Sequence, residues 1–146
     1  MKKRTRLAIV FLCIVGALLS AVSLKNHYST TLTGYCDLDE IFNCDLVNRS
    51  IYSRVLGVPV ALIGLVGYVL LGVSSFVRKT WLAKLRLIGA CFGLAFALYL
   101  AYIEARILAV WCLLCIGSLL CIATIAVLAV KALREAASGE AGPART

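Results

Sequence analysis

Four long stretches of the chain contain no charged residue, and they constrain its fold more than any other feature. They are residues 7–24, 58–77, 87–103 and 107–130. At about 1.5 Å per helical residue, each would extend about 25 to 36 Å, close to the roughly 30 Å of a bilayer's hydrocarbon core. Backbone groups in lipid must be hydrogen-bonded within their own segment, which favours helices. We therefore expect an all-α membrane protein with four transmembrane helices at these residues.

The composition excludes two broad classes of protein. Hydrophobic residues make up 62% of the chain and charged residues 15%, so a soluble domain of 146 residues would have too few polar side chains to cover its surface. The chain has a net charge of +8, and its charged residues lie between the apolar runs. They form no basic helix face, so a nucleic-acid-binding surface is not expected.

The distribution of basic residues predicts the orientation in the membrane. Eleven of the 15 Lys and Arg residues lie in the N-terminus, in the connection between the second and third runs, and in the tail. Positively charged connections stay on the cytoplasmic side, so both termini are predicted to be cytoplasmic and residues 25–57 and 104–106 external. We expect a membrane domain over residues 1–130, in the bacterial inner membrane, and a disordered cytoplasmic tail over 131–146. Cleavage of residues 1–23 as a signal peptide is the alternative, and it would leave the external loop in place.

The seven cysteines fall into two groups. Cys13, Cys91 and Cys121 lie inside predicted helices, where a cysteine usually acts as a small apolar side chain. The other four are predicted on the external side, two in the loop and two in a Cys-x-x-Cys motif about six residues into the last helix: Cys36, Cys44, Cys112 and Cys115.

Three chemistries suit four external cysteines. They could form two static disulfides, they could bind zinc or a softer ion through four thiolates, or they could exchange electrons as two redox pairs. Only the redox relay explains why one pair lies at the end of a helix bundle, where a membrane-soluble molecule can reach it.

The spacing of these motifs resembles the vitamin K epoxide reductase family over most of the chain. A serine, Ser50, follows the second loop cysteine by six residues, Gly57-Val58-Pro59 leads into the second apolar run, and Trp111 precedes the Cys-x-x-Cys motif. The resemblance implies a four-helix bundle around a quinone, with an external loop and short helix capping the site. It also implies an enzyme that moves electrons from protein thiols to that quinone.

The resemblance further implies a role for each candidate residue. Cys36 and Cys44 correspond to the shuttle pair, and Cys112 and Cys115 to the pair next to the quinone. Ser50 corresponds to the hydroxyl that hydrogen-bonds a quinone oxygen. Ile51 departs from the proline that many bacterial relatives have after this serine.

No thioredoxin-like domain follows the bundle in this sequence, as it does in some relatives. We therefore expect a single-domain bacterial homologue that takes electrons from a thioredoxin-like protein in trans and supports disulfide bond formation. The quinone could be of the ubiquinone, menaquinone or phylloquinone type.

Other functions and other roles stay open at this point. A carrier of mercury or copper ions would also use paired thiols. A proton-coupled exporter is less favoured, because the four apolar runs contain no ionisable residue to couple protons. A purely structural four-span protein would not need the external cysteines, and Ser50 alone would suit a helix cap or a turn.

Overall fold

The computed structural model describes residues 2–31 and 39–140 and is almost entirely helical. The helices are α1 (Lys3–Tyr28), α2 (Cys44–Arg49), α3 (Val60–Ser74), α4 (Thr80–Ile103) and α5 (Leu113–Glu140). A 3-10 turn (Ile51–Ser53) and two short antiparallel strands, β1 (Arg54–Val55) and β2 (Val58–Pro59), join α2 to α3, and a π-helical turn (Glu104–Leu108) ends α4. The predicted helical membrane bundle is confirmed.

Among the described residues, three helical segments are long and apolar enough to cross a membrane: Lys3–Tyr28, Thr80–Leu108 and Leu113–Gly139. The fourth, α3, has 15 residues and would extend only about 22 Å. The apolar run that contains it is longer than the helix, because both of its ends adopt other structures.

Local hydrogen bonds explain why α3 covers 60–74 rather than the predicted 58–77. At the start, Val58 and Pro59 pair with β1 across a two-residue turn in which Leu56 and Gly57 both have positive φ angles. At the end, Ser74 donates its hydroxyl hydrogen to the carbonyl of Leu71 (2.8 Å).

A buried arginine also contributes to the end of α3. The guanidinium group of Arg86, on α4, donates to the carbonyl oxygen of Ser74 and to its hydroxyl. A helix end leaves carbonyl groups without intrahelical partners, and Arg86 satisfies one of them.

The last helix continues beyond the predicted membrane domain, so the prediction of a disordered tail from residue 131 is wrong for residues 131–140. These residues form the end of α5. They contain alanine, leucine, lysine, arginine and glutamate, which favour helices intrinsically. Residues 141–146 lie outside the described part of the chain.

The bundle is organised around α1, which packs against both α3 and α5, while α4 packs along α5. In contrast, α3 and α4 contact each other little. The main buried cluster comprises Ile9, Cys13, Tyr68, Leu71, Ala90, Cys121, Ile122, Ile125 and Ala126. Cys13 and Cys121 are therefore core side chains, as predicted, whereas Cys91 is exposed on the bundle surface.

Candidate redox site

A short piece of parallel backbone pairing brings the loop before α2 next to the start of α5. Phe42 pairs with Trp111 as an isolated bridge. The N–H of Trp111 donates to the carbonyl of Ile41 (2.7 Å), and the N–H of Asn43 donates to the carbonyl of Trp111 (3.1 Å). Because Cys44 follows Asn43 and Cys112 follows Trp111, this pairing places the two cysteines side by side.

Cys44 and Cys112 are both fully buried and pack in one small apolar cluster with Val47. Cys115 lies at the edge of this cluster. Cys44 is disulfide-bonded, whereas Cys112 and Cys115 are free thiols. Cys36, the other predicted shuttle cysteine, lies outside the described residues.

Cys112 caps the N-terminus of α5, which differs from its expected place six residues inside the helix. Its carbonyl accepts the first helical hydrogen bond, from the N–H of Ile116 (3.0 Å). The preceding residues leave the helix because Ala109 adopts a left-handed conformation (φ 54°) and Trp111 is bound to the loop. The sulfur of Cys112 therefore lies where a capping side chain meets free backbone N–H groups.

This environment lowers the pKa of the Cys112 thiol below its ordinary value. The largest cause is the hydrogen bond from the Cys115 side chain, and the backbone N–H groups of Cys115 and Leu114 add to it. Burial and the negative charge of Glu104 oppose the shift. The thiolate is the form of cysteine that reacts in disulfide exchange. The lowered pKa therefore increases the fraction of Cys112 that can react.

A largely apolar cavity of about 570 Å³ runs between the helices, and Cys115 is one of the residues that line it. Several residues of α3 and α4 that line it are also exposed on the bundle surface: Ile63, Leu70, Ile88 and Phe92. Since α3 and α4 make few contacts, the cavity opens between them. In a bilayer this opening faces the lipid.

Polar side chains line the cavity near α2. Ser50 follows the last residue of α2, and its hydroxyl donates to the carbonyl of Val47 (2.8 Å). The Ser50 side chain thus binds the last turn of α2 and makes no capping hydrogen bond to the 3-10 turn that begins at Ile51, which differs from the helix cap that the sequence left open. The structure therefore brings Ser50 to the cavity that Cys115 lines, with its hydrogen already donated within α2.

Asn48 is a second polar residue of this part of the cavity. Its side-chain oxygen accepts a hydrogen bond from Ser23 (2.6 Å), and its backbone oxygen contacts the ring nitrogen Nδ1 of His27 (2.5 Å). Its Nδ2 group is buried and has no hydrogen-bond partner among the described residues. Asn48 lines the cavity, and an amide N–H group without a partner is a spare hydrogen-bond donor in this part of the site.

His27 has a structural role that its position in the sequence did not indicate. Its Nε2 accepts a hydrogen bond from Arg54 (3.2 Å), so the ring hydrogen lies on Nδ1 and points to the carbonyl of Asn48. His27 thus connects the end of α1 to α2 and to β1.

Glu104 is the charged group of the site that sequence analysis missed. Its side chain is 2% exposed, and Oε2 accepts a hydrogen bond from the N–H of Cys112 (3.1 Å). The sequence suggested an external turn at residues 104–106, because Glu104 and Arg106 interrupt two apolar runs. The useful signal was an acidic residue eight positions before a Cys-x-x-Cys motif, at the end of a membrane span.

The described residues contain no group of three or more His, Cys, Asp or Glu side chains arranged to bind a metal ion. The family match reported next does not favour the carrier of mercury or copper ions.

The chain matches a protein-family model over most of its length. The model of the family described as "Vitamin K epoxide reductase family" matches residues 7–130, which include Cys44, Ser50, Cys112 and Cys115. The match covers well over half of the chain, and the family implies a membrane thiol oxidoreductase. This chain therefore belongs to the vitamin K epoxide reductase family.

Proposed function

We propose that the protein is a quinone-dependent disulfide oxidoreductase that passes electrons from a reduced thioredoxin-like protein through Cys36 and Cys44 to Cys112 and Cys115. The single observation that carries this proposal is the buried cluster that contains both Cys44 and Cys112, with Cys115 lining an apolar cavity. The cluster brings one cysteine of each proposed pair together, Cys44 from the loop and Cys112 from the start of α5.

Each step of the proposed path is an exchange between a thiolate and a disulfide. A thiolate of the thioredoxin-like protein attacks the Cys36–Cys44 disulfide at Cys36, and Cys44 leaves as a thiolate. Cys44 then attacks Cys112 of the Cys112–Cys115 disulfide, and Cys115 leaves as a thiolate, which takes up a proton released by the partner's thiols. When the partner closes its own disulfide, it releases Cys36, which attacks Cys44 and frees Cys112.

The net result is that the partner loses two electrons and the Cys112–Cys115 pair gains them. The described cysteines fit the state after this transfer, because Cys44 is disulfide-bonded while Cys112 and Cys115 are free. The pairing of Cys36 with Cys44 belongs to the proposal.

The cavity residues fit a quinone head group with an apolar tail. Cys115 lines the cavity, and the buried Nδ2 of Asn48 is an unused hydrogen-bond donor for a carbonyl oxygen. Ser50 can add a second donor if its hydroxyl rotates away from Val47. When bound, a quinone accepts the two electrons and two protons that the cysteine pair releases as it closes to a disulfide.

The apolar walls of α3 and α4 would hold the tail, and the opening between these helices would admit it from the bilayer. We propose the bacterial inner membrane as the location, with both termini cytoplasmic and the redox cysteines external, on the basis of the basic residues. A reporter fused at Thr146 should be active in the cytoplasm, and activity on the opposite side would refute the orientation.

The relay is tested by comparing two electron donors in two variants. Cys36→Ala should abolish quinone reduction by the thioredoxin-like protein but keep a substantial part of the reduction by dithiothreitol, which can reach Cys112 and Cys115 directly. Cys115→Ala should abolish both. Cys91→Ala is the matched control, since Cys91 lies on the bundle surface, and it should keep both activities.

Two results would contradict this order of cysteines. One is quinone reduction by either donor in the Cys115→Ala variant. The other is an equal loss with both donors in the Cys36→Ala variant, which would make Cys36 a structural residue.

A further inference from the structure

Glu104 is a buried carboxyl group for which the proposed cysteine relay has no use. It lies in the π-helical turn after α4, and only 2% of its side chain is exposed. One oxygen binds the backbone of Cys112, while the other, Oε1, is buried without a hydrogen-bond partner among the described residues. Burying a polar atom without a partner costs free energy, so such an atom calls for an explanation.

The surroundings of Glu104 supply that explanation. Its carboxyl group interacts with the side chain of Cys115 and with the backbone of Cys112. The same residue lines the cavity next to Cys115. The carboxyl group therefore lies beside the Cys115 thiol, which must lose a proton, and Glu104 belongs to the wall of the cavity in which a quinone oxygen would lie.

We propose that Glu104 is the catalytic proton acceptor of the cysteine pair, which takes the proton of the Cys115 thiol and donates it to a quinone oxygen in the cavity. The identity of that final acceptor rests on the proposed function. Removal of the thiol proton by Glu104 does not rest on it, because any oxidation of the pair requires Cys115 to lose its proton.

The atoms and electrons balance in this scheme. Closing two thiols to one disulfide releases two electrons and two protons. Cys112 enters this step as the thiolate in which the relay releases it, so its proton is already in the solvent, and its lowered pKa favours that form. Glu104 takes the Cys115 proton on Oε1 as the sulfur–sulfur bond forms, and then donates it to one oxygen of the quinone. The two electrons go to the quinone, and water supplies its second proton.

A purely structural role for Glu104 makes a different prediction. If Glu104 only accepted the hydrogen bond from Cys112, glutamine would replace it well, because the amide oxygen of glutamine accepts the same bond. Glutamine cannot take a proton from a thiol. Glu104→Gln therefore separates the two roles with little change in shape.

The test needs no quinone. In protein whose only cysteines are Cys112 and Cys115, dipyridyl disulfide reacts with Cys112 and releases a first thiopyridone. Attack by Cys115 on this mixed disulfide then releases a second one, and stopped-flow absorbance follows both steps. We expect Glu104→Gln to slow the second step about 100-fold near neutral pH, as loss of a general base commonly does. The first step should change little by comparison.

Glu135→Gln is the matched control, because Glu135 lies on α5 and its side chain binds the backbone of Lys2, far along the sequence from the cysteine motif. It should leave both steps unchanged. Glu104→Asp keeps a carboxyl group and should recover part of the second step. Equal rates of the second step in Glu104→Gln and the parent, or equal slowing by Asp and Gln, would overturn the proposal.

If Glu104→Gln does not accumulate in the membrane, Glu104→Asp decides the question, because its shorter side chain draws the carboxylate back from Cys115. A slower second step with an unchanged first step would support proton transfer by Glu104, and parent rates in both steps would overturn it. Both readouts are separate from quinone reduction, so a parent that closes its disulfide in this way but does not reduce quinone would refute the proposed function and leave the role of Glu104 intact.

Discussion

Replacing Gly16 with alanine is expected to destabilise the bundle, because the ring of Tyr68 occupies the space that a Cβ atom would need. A Cβ added at Gly16 would overlap three carbon atoms of that ring. The ring cannot withdraw freely, since Tyr68 is 5% exposed and its hydroxyl donates to the carbonyl of Ser118 (2.8 Å). The extra methyl group must therefore move either α1 or this ring.

The size of the effect follows from these contacts. Overpacking a well-packed core costs about 1–3 kcal/mol, and loss of the bond to Ser118 would add about 1 kcal/mol. For a chain of this size we expect the melting temperature to fall by roughly 5 to 10 °C. Circular dichroism of the purified protein in detergent measures this change.

Gly67→Ala is the matched control, because nothing lies within 4 Å of a Cβ added there. Its melting temperature should stay the same or rise slightly, since alanine favours a helix more than glycine does. Tyr68→Leu, combined with Gly16→Ala, should recover part of the lost stability by removing the ring. Equal melting of Gly16→Ala and the parent would refute this account of the α1–α3 contact.

Three further predictions concern single side chains. Cys115→Ala should raise the pKa of the Cys112 thiol, because the hydrogen bond that stabilises its thiolate is lost; the pH dependence of Cys112 alkylation should then move to higher pH, and an unchanged profile would show that this hydrogen bond is not the main cause. Ser50→Ala should lower quinone turnover by about tenfold or more with a near-normal amount of inserted protein, whereas equal turnover would leave Ser50 with only its bond to the last turn of α2. Arg86→Met should leave the carbonyl of Ser74 without its guanidinium partner and cost about 1–3 kcal/mol of unfolding free energy, and a melting curve identical to that of the parent would argue against this role.

The positions of the long helices could be predicted because membrane helices depend on local properties. Length, lack of charge and helical hydrogen bonding are all visible in the apolar runs. The ends were less predictable, since Arg86 reaches the end of α3 from another helix and the left-handed residue Ala109 sits inside an uninterrupted apolar run.

The site, like the helices, was predictable from the sequence only in the features that depend on local residues. The motif singled out Cys112 and Cys115 as candidates, but the capping position of Cys112 depends on the pairing of Phe42 with Trp111, which are distant in sequence. The burial of Glu104 likewise depends on the fold, because in the sequence it lies close to another charged residue in what resembles an exposed turn. The availability of Asn48 depends on Ser23 engaging only one end of its amide.

The gap between α3 and α4 affects which concentration of the electron acceptor determines the reaction rate. A molecule that enters through this gap arrives by lateral diffusion in the bilayer, so the relevant concentration is the number of acceptor molecules per lipid. Adding lipid vesicles to an assay at constant total acceptor would dilute the acceptor within the membrane and slow the reaction. A saturation curve measured per volume of buffer would therefore change with the amount of lipid, while the same curve plotted against mole fraction would stay the same.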